Sequence, residues 1–179
     1  MSCNEDLNKN LLQGSKFKLN FDRLPDVSFF CTEAAIPGMT LSENPRTTPF
    51  VDYTIAGDKI TYSPLEITFL VNETLSPWRE VHDWIRGLGF PTNFDEYKNL
   101  PNLQKEVMRA QLRTQFESPQ YSDGTLSVYT NKNNLAFSIS FKDLFPVEIS
   151  SISFATKMTA EDVITGTAKF AFQYYDIKI

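Results

Sequence analysis

Histidine and cysteine are almost absent from this sequence. One histidine, His82, and two cysteines, Cys3 and Cys31, occur in 179 residues, which is too few for a zinc site or a disulfide framework. The nucleophile elbow Gly-x-Ser-x-Gly, the Walker A loop and the dinucleotide-binding Gly-x-Gly-x-x-Gly are also missing. His82 stands beside Asp83 in an expected helix, and a surface histidine is the simpler interpretation. We therefore expect no enzyme, no cofactor and no metal.

Positive charge and long apolar runs are scarce as well. Lysine and arginine number 17 against 22 aspartates and glutamates, giving a formal net charge of −5. A protein that grips nucleic acid needs clustered cations that displace counterions, so this class is disfavoured. No apolar run approaches the ~18 residues of a membrane span. The polar start, residues 1–14, lacks the apolar core of a signal peptide, so synthesis in a reducing cytoplasm is expected.

Aromatic residues are plentiful, with 15 phenylalanines and 41% hydrophobic residues overall. A chain of this length and composition predicts one domain with a sizeable core. We expect a mobile N-terminal arm over residues 1–14 and a single domain over 15–179. That domain carries a long proline-broken loop at 42–64 and an irregular, partly helical insertion at 91–122.

Alternating apolar residues predict a mainly β fold, a β-sandwich or barrel with one flanking helix. Strands are expected at Ser15–Phe21 and Val27–Glu33, joined as a hairpin by the turn at Leu24–Asp26, and again at Leu65–Val71. A helix with Ser76 as its N-cap follows and buries Trp84. The expected core anchors are large aromatic residues from these elements and from the C-terminal strands: Phe29, Phe69, Trp84, Phe137, Phe141, Phe170 and Phe172.

The C-terminal third predicts strands with one bulky face and one small or polar face. Leu135–Lys142 alternates most sharply, Ser151–Ala155 continues the pattern, and one last strand sets Ala168, Phe170, Phe172 and Tyr174 on the same side. Such a strand covers a core with one face and leaves the other wettable. An ordinary solvent-exposed face is the competing interpretation, although it would carry more Lys and Glu. The small or polar positions are Ala136, Ser138, Ser140, Lys142, Ser151, Ser153, Thr167, Lys169 and Gln173.

Three short patterns occur in a characteristic order. Phe29-Phe30-Cys31-Thr32 runs into Ala34–Gly38, an Ala56-Gly57-Asp58 turn precedes the strand Leu65–Phe69, and the corner Phe141–Pro146 leads to a final aromatic strand. In this order and spacing, over about residues 15–90 and 124–179, the chain resembles the tail tube proteins of contractile-tailed phages.

That resemblance implies hexameric rings in which neighbouring subunits join their sheets into one inner β-barrel, stacked as a hollow tube inside a sheath. The small and polar face given above becomes the candidate lumen face, past which double-stranded DNA slides without specific binding. Six chains at −5 give roughly −30 per ring, which disfavours phosphate if that charge faces inward. The long loop becomes the candidate ring-stacking element, through Pro45, Arg46, Asp52, Thr54, Asp58 and Lys59.

The resemblance also sets the expected partners, which are other copies of the chain, sheath and baseplate proteins and passing DNA, but no membrane. The expected location is the tail of a virion. Two alternatives stay open. A baseplate tube initiator shares the fold, and the insertion at 91–122 favours it. A monomeric β-sandwich that binds a peptide or small ligand belongs to another class.

Overall fold

The computed structural model describes residues 12, 14–89, 91–92, 120–155 and 163–178. Nearly all of the expected N-terminal arm and most of the expected insertion at 91–122 lie outside these residues. The described elements are β1 (Phe17–Phe21), α1 (Pro25–Phe30), β2 (Cys31–Ala34), β3 (Met39–Thr47), β4 (Asp52–Tyr62), β5 (Leu65–Leu70), α2 (Ser76–Gly89), β6 (Ser122–Tyr129), β7 (Leu135–Ile149), β8 (Thr165–Ala171) and β9 (Tyr174–Lys178).

Two antiparallel sheets share the long strand β7. Sheet I has the order β1-β6-β7-β9 and uses the first half of β7, whereas sheet II has the order β7-β8-β5-β2 and uses its second half. The sheets face each other, since the ring of Phe21 in sheet I lies 5.1 Å from that of Phe170 in sheet II. The expected mainly β fold is confirmed.

A bend in β7 carries the strand from one sheet to the other. Asp143 has a φ of 55°, in the left-handed region that non-glycine residues rarely adopt. Inward side chains stand at Ile139 and Phe141 before the bend but at Leu144 after it. The extra residue therefore switches the face that meets the core, as a β-bulge does. The corner expected at Phe141–Pro146 is this bend within a continuous strand.

The paired strand bends at the same place, which corrects the expectation of one final strand. β8 ends at Ala171 and β9 begins at Tyr174, and the N–H of Gln173 donates to the carbonyl of Lys142 at 3.1 Å across the bend. Tyr175 rather than Tyr174 turns toward the core. A strand is also absent at Ser151–Ala155, because β7 ends at Ile149.

The core between the sheets is apolar, and no buried polar side chain occurs among the described residues. Phe69, Trp84, Phe141 and Phe170 are buried, as predicted, and Phe137 and Phe172 pack partly buried against them. The prediction for Phe29 is wrong, because its side chain is 81% exposed. It lies on the outer side of α1 in a T-shaped contact with the Phe30 ring, the two ring centres 4.9 Å apart.

The helix α1 replaces most of the second strand expected in an N-terminal hairpin. Pro25 stands in its first turn, where its fixed φ suits a helix and its missing N–H costs nothing. Ser28 Oγ donates to the carbonyl of Leu24 at 2.8 Å and accepts from the N–H of Phe21 at 2.9 Å. These bonds turn the chain out of β1, which pairs with β6 instead of β2.

The longer helix α2 covers one side of the sandwich with Val81 and Trp84. Trp84 Nε1 donates to the carbonyl of Gln120 at 3.3 Å, and the guanidinium of Arg23 lies 4.9 Å from the centre of its ring. The helix starts at Ser76, so Leu75 rather than Ser76 precedes its first residue. Among the described residues, no helix has the length and apolar character that crossing a membrane requires.

Glu80 of α2 caps the shorter helix. Its carboxylate accepts from the N–H groups of Asp26 and Val27 at 3.2 and 3.4 Å, which supplies the N-terminal acceptor that α1 lacks in its own sequence. Burial raises the pKa of Glu80, and the nearby negative charge of Asp26 adds to the rise, while the two N–H donors oppose it.

We expect the Glu80→Gln variant to lose one component of the pH dependence of stability. Because the folded pKa lies above the ordinary 4.5, the folded chain holds this proton more tightly than the unfolded chain. The proton's contribution to stability is complete below the unfolded pKa and is lost as the pH rises through the raised folded pKa. Denaturant titrations from pH 4 to 7 should therefore show a smaller decline for the variant. Exposed Glu73→Gln is the control, and identical pH profiles for Glu80→Gln and wild type would contradict the coupling.

Candidate assembly interface

A long hairpin projects from the sandwich where a loop was expected at 42–64. β3 and β4 pair only with each other and form a two-stranded sheet, which we call the arm (Met39–Tyr62). An isolated two-stranded hairpin is marginally stable in water. The arm nevertheless exposes large apolar side chains along its length, which is typical of a surface that packs against another protein: Met39, Leu41, Phe50, Val51, Tyr53, Ile55 and Ile60.

The root of the arm is fixed to the body. The ring of Tyr62 lies 5.5 Å from that of Phe172 and 5.4 Å from that of Tyr175 on β9. The hydroxyl of Tyr175 donates to the carbonyl of Pro37 at 3.4 Å, and the N–H of Ser63 donates to Gly38 at 2.9 Å. The arm therefore leaves the body next to β9, the edge strand of sheet I.

The Ala56-Gly57-Asp58 pattern forms a bulge within the arm. The register shifts between Leu41 and Glu43, so that extra residues of β4 bulge opposite Ser42. A Cβ on Gly57 would lie 2.3 Å from Ser42 Oγ and 2.6 Å from its carbonyl oxygen. Only glycine permits this approach, which gives the pattern a structural reason.

The tip of the arm is a tight turn that presents one aromatic side chain. The N–H of Thr48 donates to the carbonyl of Val51 at 3.3 Å, and the N–H of Val51 donates to Thr48 Oγ1 at 3.2 Å. Phe50, between them, is 95% exposed. All six residues of the candidate stacking element lie exposed on this arm, Asp58 and Lys59 at the bulge and the others nearer the tip: Pro45, Arg46, Asp52 and Thr54.

The outward side of sheet I forms a second surface, which we call the polar face. Its rows run across all four strands, with Ser127 and Ser138 between Lys18 and Lys178 in one row. The next row sets Thr125 and Ser140 between Asn20 and Asp176. Hydroxyl side chains therefore fill the centre of the face and charged side chains lie mainly toward its edges. Its members are Lys18, Asn20, Asp123, Thr125, Ser127, Ser138, Ser140, Lys142, Tyr174, Asp176 and Lys178.

The structure divides the candidate lumen residues between different surfaces. Ser138, Ser140 and Lys142 lie on the polar face, and Ala136 has the same phase near the start of β7. Thr167 and Lys169 instead lie on the outward side of sheet II. Ser151 and Ser153 follow the end of β7, and exposed Gln173 lies at the bend. The nine residues therefore do not share one face.

Each lysine among those candidates has a carboxylate partner. Lys142 pairs with Asp123 on the neighbouring strand, and this hydrogen bond raises the pKa of Lys142. Lys169 lies 2.9 Å from Glu148, which likewise raises the pKa of Lys169. Asp123 Oδ1 also accepts from the N–H of Asp143 at 3.3 Å and so supports the bend. Sequence reasoning missed Asp123, because only the strand register places it beside Lys142.

The described residues give little support for a catalytic site. His82 is partly exposed, stacks on Trp78 with ring centres 5.1 Å apart and contacts Asp83 at 3.1 Å. Burial raises the pKa of the Cys31 thiol to about 11, which disfavours a reactive thiolate. No group of three metal-ligating side chains occurs in the part of the chain that the structure describes.

The fold occurs in contractile injection systems. A chain of the anti-feeding prophage baseplate superposes with a TM-score of 0.57 and 11% identity, covering 94% of this chain and 95% of that one. A chain of the anti-feeding prophage tube-terminating cap superposes with a TM-score of 0.57 and 13% identity, covering 95% of this chain and 92% of that one. A chain from the sheath and tube terminator of the extracellular contractile injection system PVC superposes with a TM-score of 0.56 and 11% identity. The match covers 96% of this chain and 99% of that one. No curated protein sequence matches this chain.

An exposed arm, a polar sheet face and edge strands that pair with no further described strand are typical of a protein that assembles with other chains. The family comparison agrees with this class, since the model of the phage tail tube protein family matches residues 5–178. The chain belongs to the phage tail tube protein family. The resemblance seen in the sequence is thereby confirmed, and the family is one of structural tube proteins.

Proposed function

We propose that this chain is the repeating subunit of the tube in a contractile tail. Six copies form a ring, the rings stack inside a sheath above a baseplate, and double-stranded DNA passes through the hollow centre. The protein is made in the host cytoplasm and becomes part of the virion. The observation that carries the proposal is sheet I, which buries one side in the core and presents a polar face on the other. Neither of its edge strands, β1 or β9, pairs with a further described strand.

The polar face suits the wall of a DNA channel. Serine and threonine at its centre offer neither concentrated positive charge nor aromatic platforms for bases. Lys142 is neutralised by Asp123. Positive and negative side chains are close to balance on this face, so we assign the low affinity for phosphate to local pairing rather than to the net charge of the ring.

The arm suits a contact between rings or neighbouring subunits. Its apolar side chains stay exposed in the single chain, and burying them against another copy stabilises the assembly by about 25 cal/mol per Å² of apolar surface. The root of the arm lies beside the free edge at β9, so one neighbour can contact both.

A baseplate tube initiator remains the second candidate. The comparison chains from a baseplate and from a cap share this fold, so the fold itself supports a place at either end of a tube as well as along it. The monomeric binding module has less support, because the cleft beside Leu24, Arg79 and Trp84 is open to solvent and mixes charged side chains with apolar ones.

We expect lysines on the polar face to slow the passage of DNA. The double variant Ser138→Lys, Ser140→Lys adds twelve positive charges per proposed ring at half-buried positions that face away from the core, so that folding is preserved while phosphate is retained. The rate of DNA ejection from particles carrying the variant should fall about 10-fold or more.

The variant Thr167→Lys is the comparison on sheet II, where Thr167 faces outward, and it adds six positive charges per proposed ring. It should leave DNA ejection near the wild-type rate. Normal ejection by the Ser138, Ser140 variant together with slow ejection by Thr167→Lys would place the lumen on sheet II and overturn the assignment.

We also expect a shortened arm to prevent stacking without unfolding the body. Replacing residues 45–54 with Asn-Gly puts a favoured two-residue turn between Asn44 and Ile55. That pair has the same phase in the ladder as Thr48 and Val51, which flank the natural turn. Thermal unfolding should stay within a few degrees of wild type, since the arm is distant from the core. Electron micrographs should show no long tubes, and long tubes from this variant would exclude the arm as the stacking element.

A further inference from the structure

No other described strand pairs with the two edges of sheet I, and the backbone groups at these edges stand in complementary positions. Lys16 and Asp22 bond to Tyr129 and Asp123 of β6. Because antiparallel ladders alternate, the N–H and C=O groups of Phe17 and Leu19 point away from β6. The registers of β6 with β7 and of β7 with β9 carry this alternation across the sheet. It follows that the N–H and C=O groups of Tyr175 and Ile177 point away from β7.

The strand directions permit these edges to pair in a second copy. β1, β6, β7 and β9 alternate in direction, so β9 of one subunit runs antiparallel to β1 of the next when the sheet continues. Such a contact joins two different edges, and a repeated contact of this kind closes into a ring. The other edge strand, β2, is only four residues long and is interrupted by a register shift between Cys31 and Glu33, which makes it a poor template for pairing.

We infer that β1 of one subunit pairs with β9 of its neighbour in the register that sets Lys18 opposite Asp176. This inference rests on the proposed ring and specifies its contact. In that register the free groups of Phe17 face those of Ile177, and those of Leu19 face those of Tyr175.

The end of β1 limits how far the pair can slide. The N–H of Phe21 is already bonded to Ser28 Oγ at 2.9 Å, and α1 follows at once. The inferred register ends with Asn20 opposite Tyr174, where β9 begins. If β9 slid two residues toward the Phe21 end of β1, Tyr175 would face Phe21, whose N–H is already bonded. If β9 slid two residues the other way, Ile177 would lie beyond Phe17, where β1 begins.

Charge favours the same register. Lys18 is exposed on β1, and Asp176 is exposed on β9. Sliding the pair toward Phe21 would instead set Lys18 opposite Lys178, and like charges directly opposite are destabilising. The inferred register does set Lys16 opposite Lys178. The Lys16 ammonium is turned away, however, donating to the carbonyl of Asn131 at 2.9 Å and to Asn133 Oδ1 at 2.8 Å.

Apolar packing supplies a third argument. Ile177 lies on the core side of β9 and is 55% exposed in the single chain. The inferred register places it opposite Phe17, an apolar side chain that packs partly buried against the core. The neighbour's Ile177 would be buried there, and the exposed apolar side chain would gain a partner.

Cysteine pairs in assembled tubes test the register directly. Residues opposite each other in a non-hydrogen-bonded antiparallel pair have Cα atoms about 4.5 Å apart, close enough for a disulfide. Under mild oxidation, Asn20→Cys with Tyr174→Cys should convert most of the chain to covalent oligomers up to a closed ring. Asn20→Cys with Asp176→Cys, and Lys18→Cys with Tyr174→Cys, report the two shifted registers and should yield less than a tenth as much. The single-cysteine variants measure the background from Cys3 and Cys31.

A charge exchange tests the ion pair without new covalent bonds. Lys18→Asp and Asp176→Lys should each raise the protein concentration needed for half-maximal assembly about tenfold, and the double exchange should return it to near the wild-type value. Tubes that cross-link only in a shifted register would overturn the register and leave the tube function intact. Tubes that cross-link in none of the three would overturn the β1–β9 contact, whereas a wild-type chain that never assembles would overturn the proposed function itself.

Discussion

The outer edges of β1 and β9, which pair with no other described strand, are the constraint on which the rest of the structure depends. An exposed strand edge pairs with another chain unless something blocks it. Here α1 blocks the Phe21 end of β1, through Ser28, and no described strand pairs with the rest of that edge. A sheet that is apolar on its core side and polar on the other extends in one way only, with the polar face continuing from subunit to subunit.

The bend at Asp143 makes that sheet possible in a chain of this size. By switching the core-facing side of β7, it lets one strand serve sheet I and sheet II, so each sheet covers the other and neither needs a separate layer. Asp123 both supports the bend, by accepting from the N–H of Asp143, and neutralises Lys142. One carboxylate thus links the geometry of the core to the charge of the polar face.

The sequence predicted what depends on local pattern. The strand at Leu65–Leu70, the amphipathic helix with Trp84 and the alternation around Ile139 follow from periodicity alone. The α1 helix was missed, because Val27 to Glu33 is apolar enough for either structure and only the bonds of Ser28 and Glu80 decide between them. The sequence predicts a loop at 42–64 rather than the arm, since prolines and a glycine interrupt the alternation there. The split of the lumen candidates between two sheets depends on the bend, which no alternation rule reveals.

Cryo-electron microscopy of the purified chain at high concentration tests the central claim most directly. The account predicts hollow tubes of uniform width, with sixfold end-on views and six copies of sheet I around the lumen, their polar faces inward. A chain that stays monomeric at every concentration, or tubes whose lumen is lined by sheet II, would contradict it.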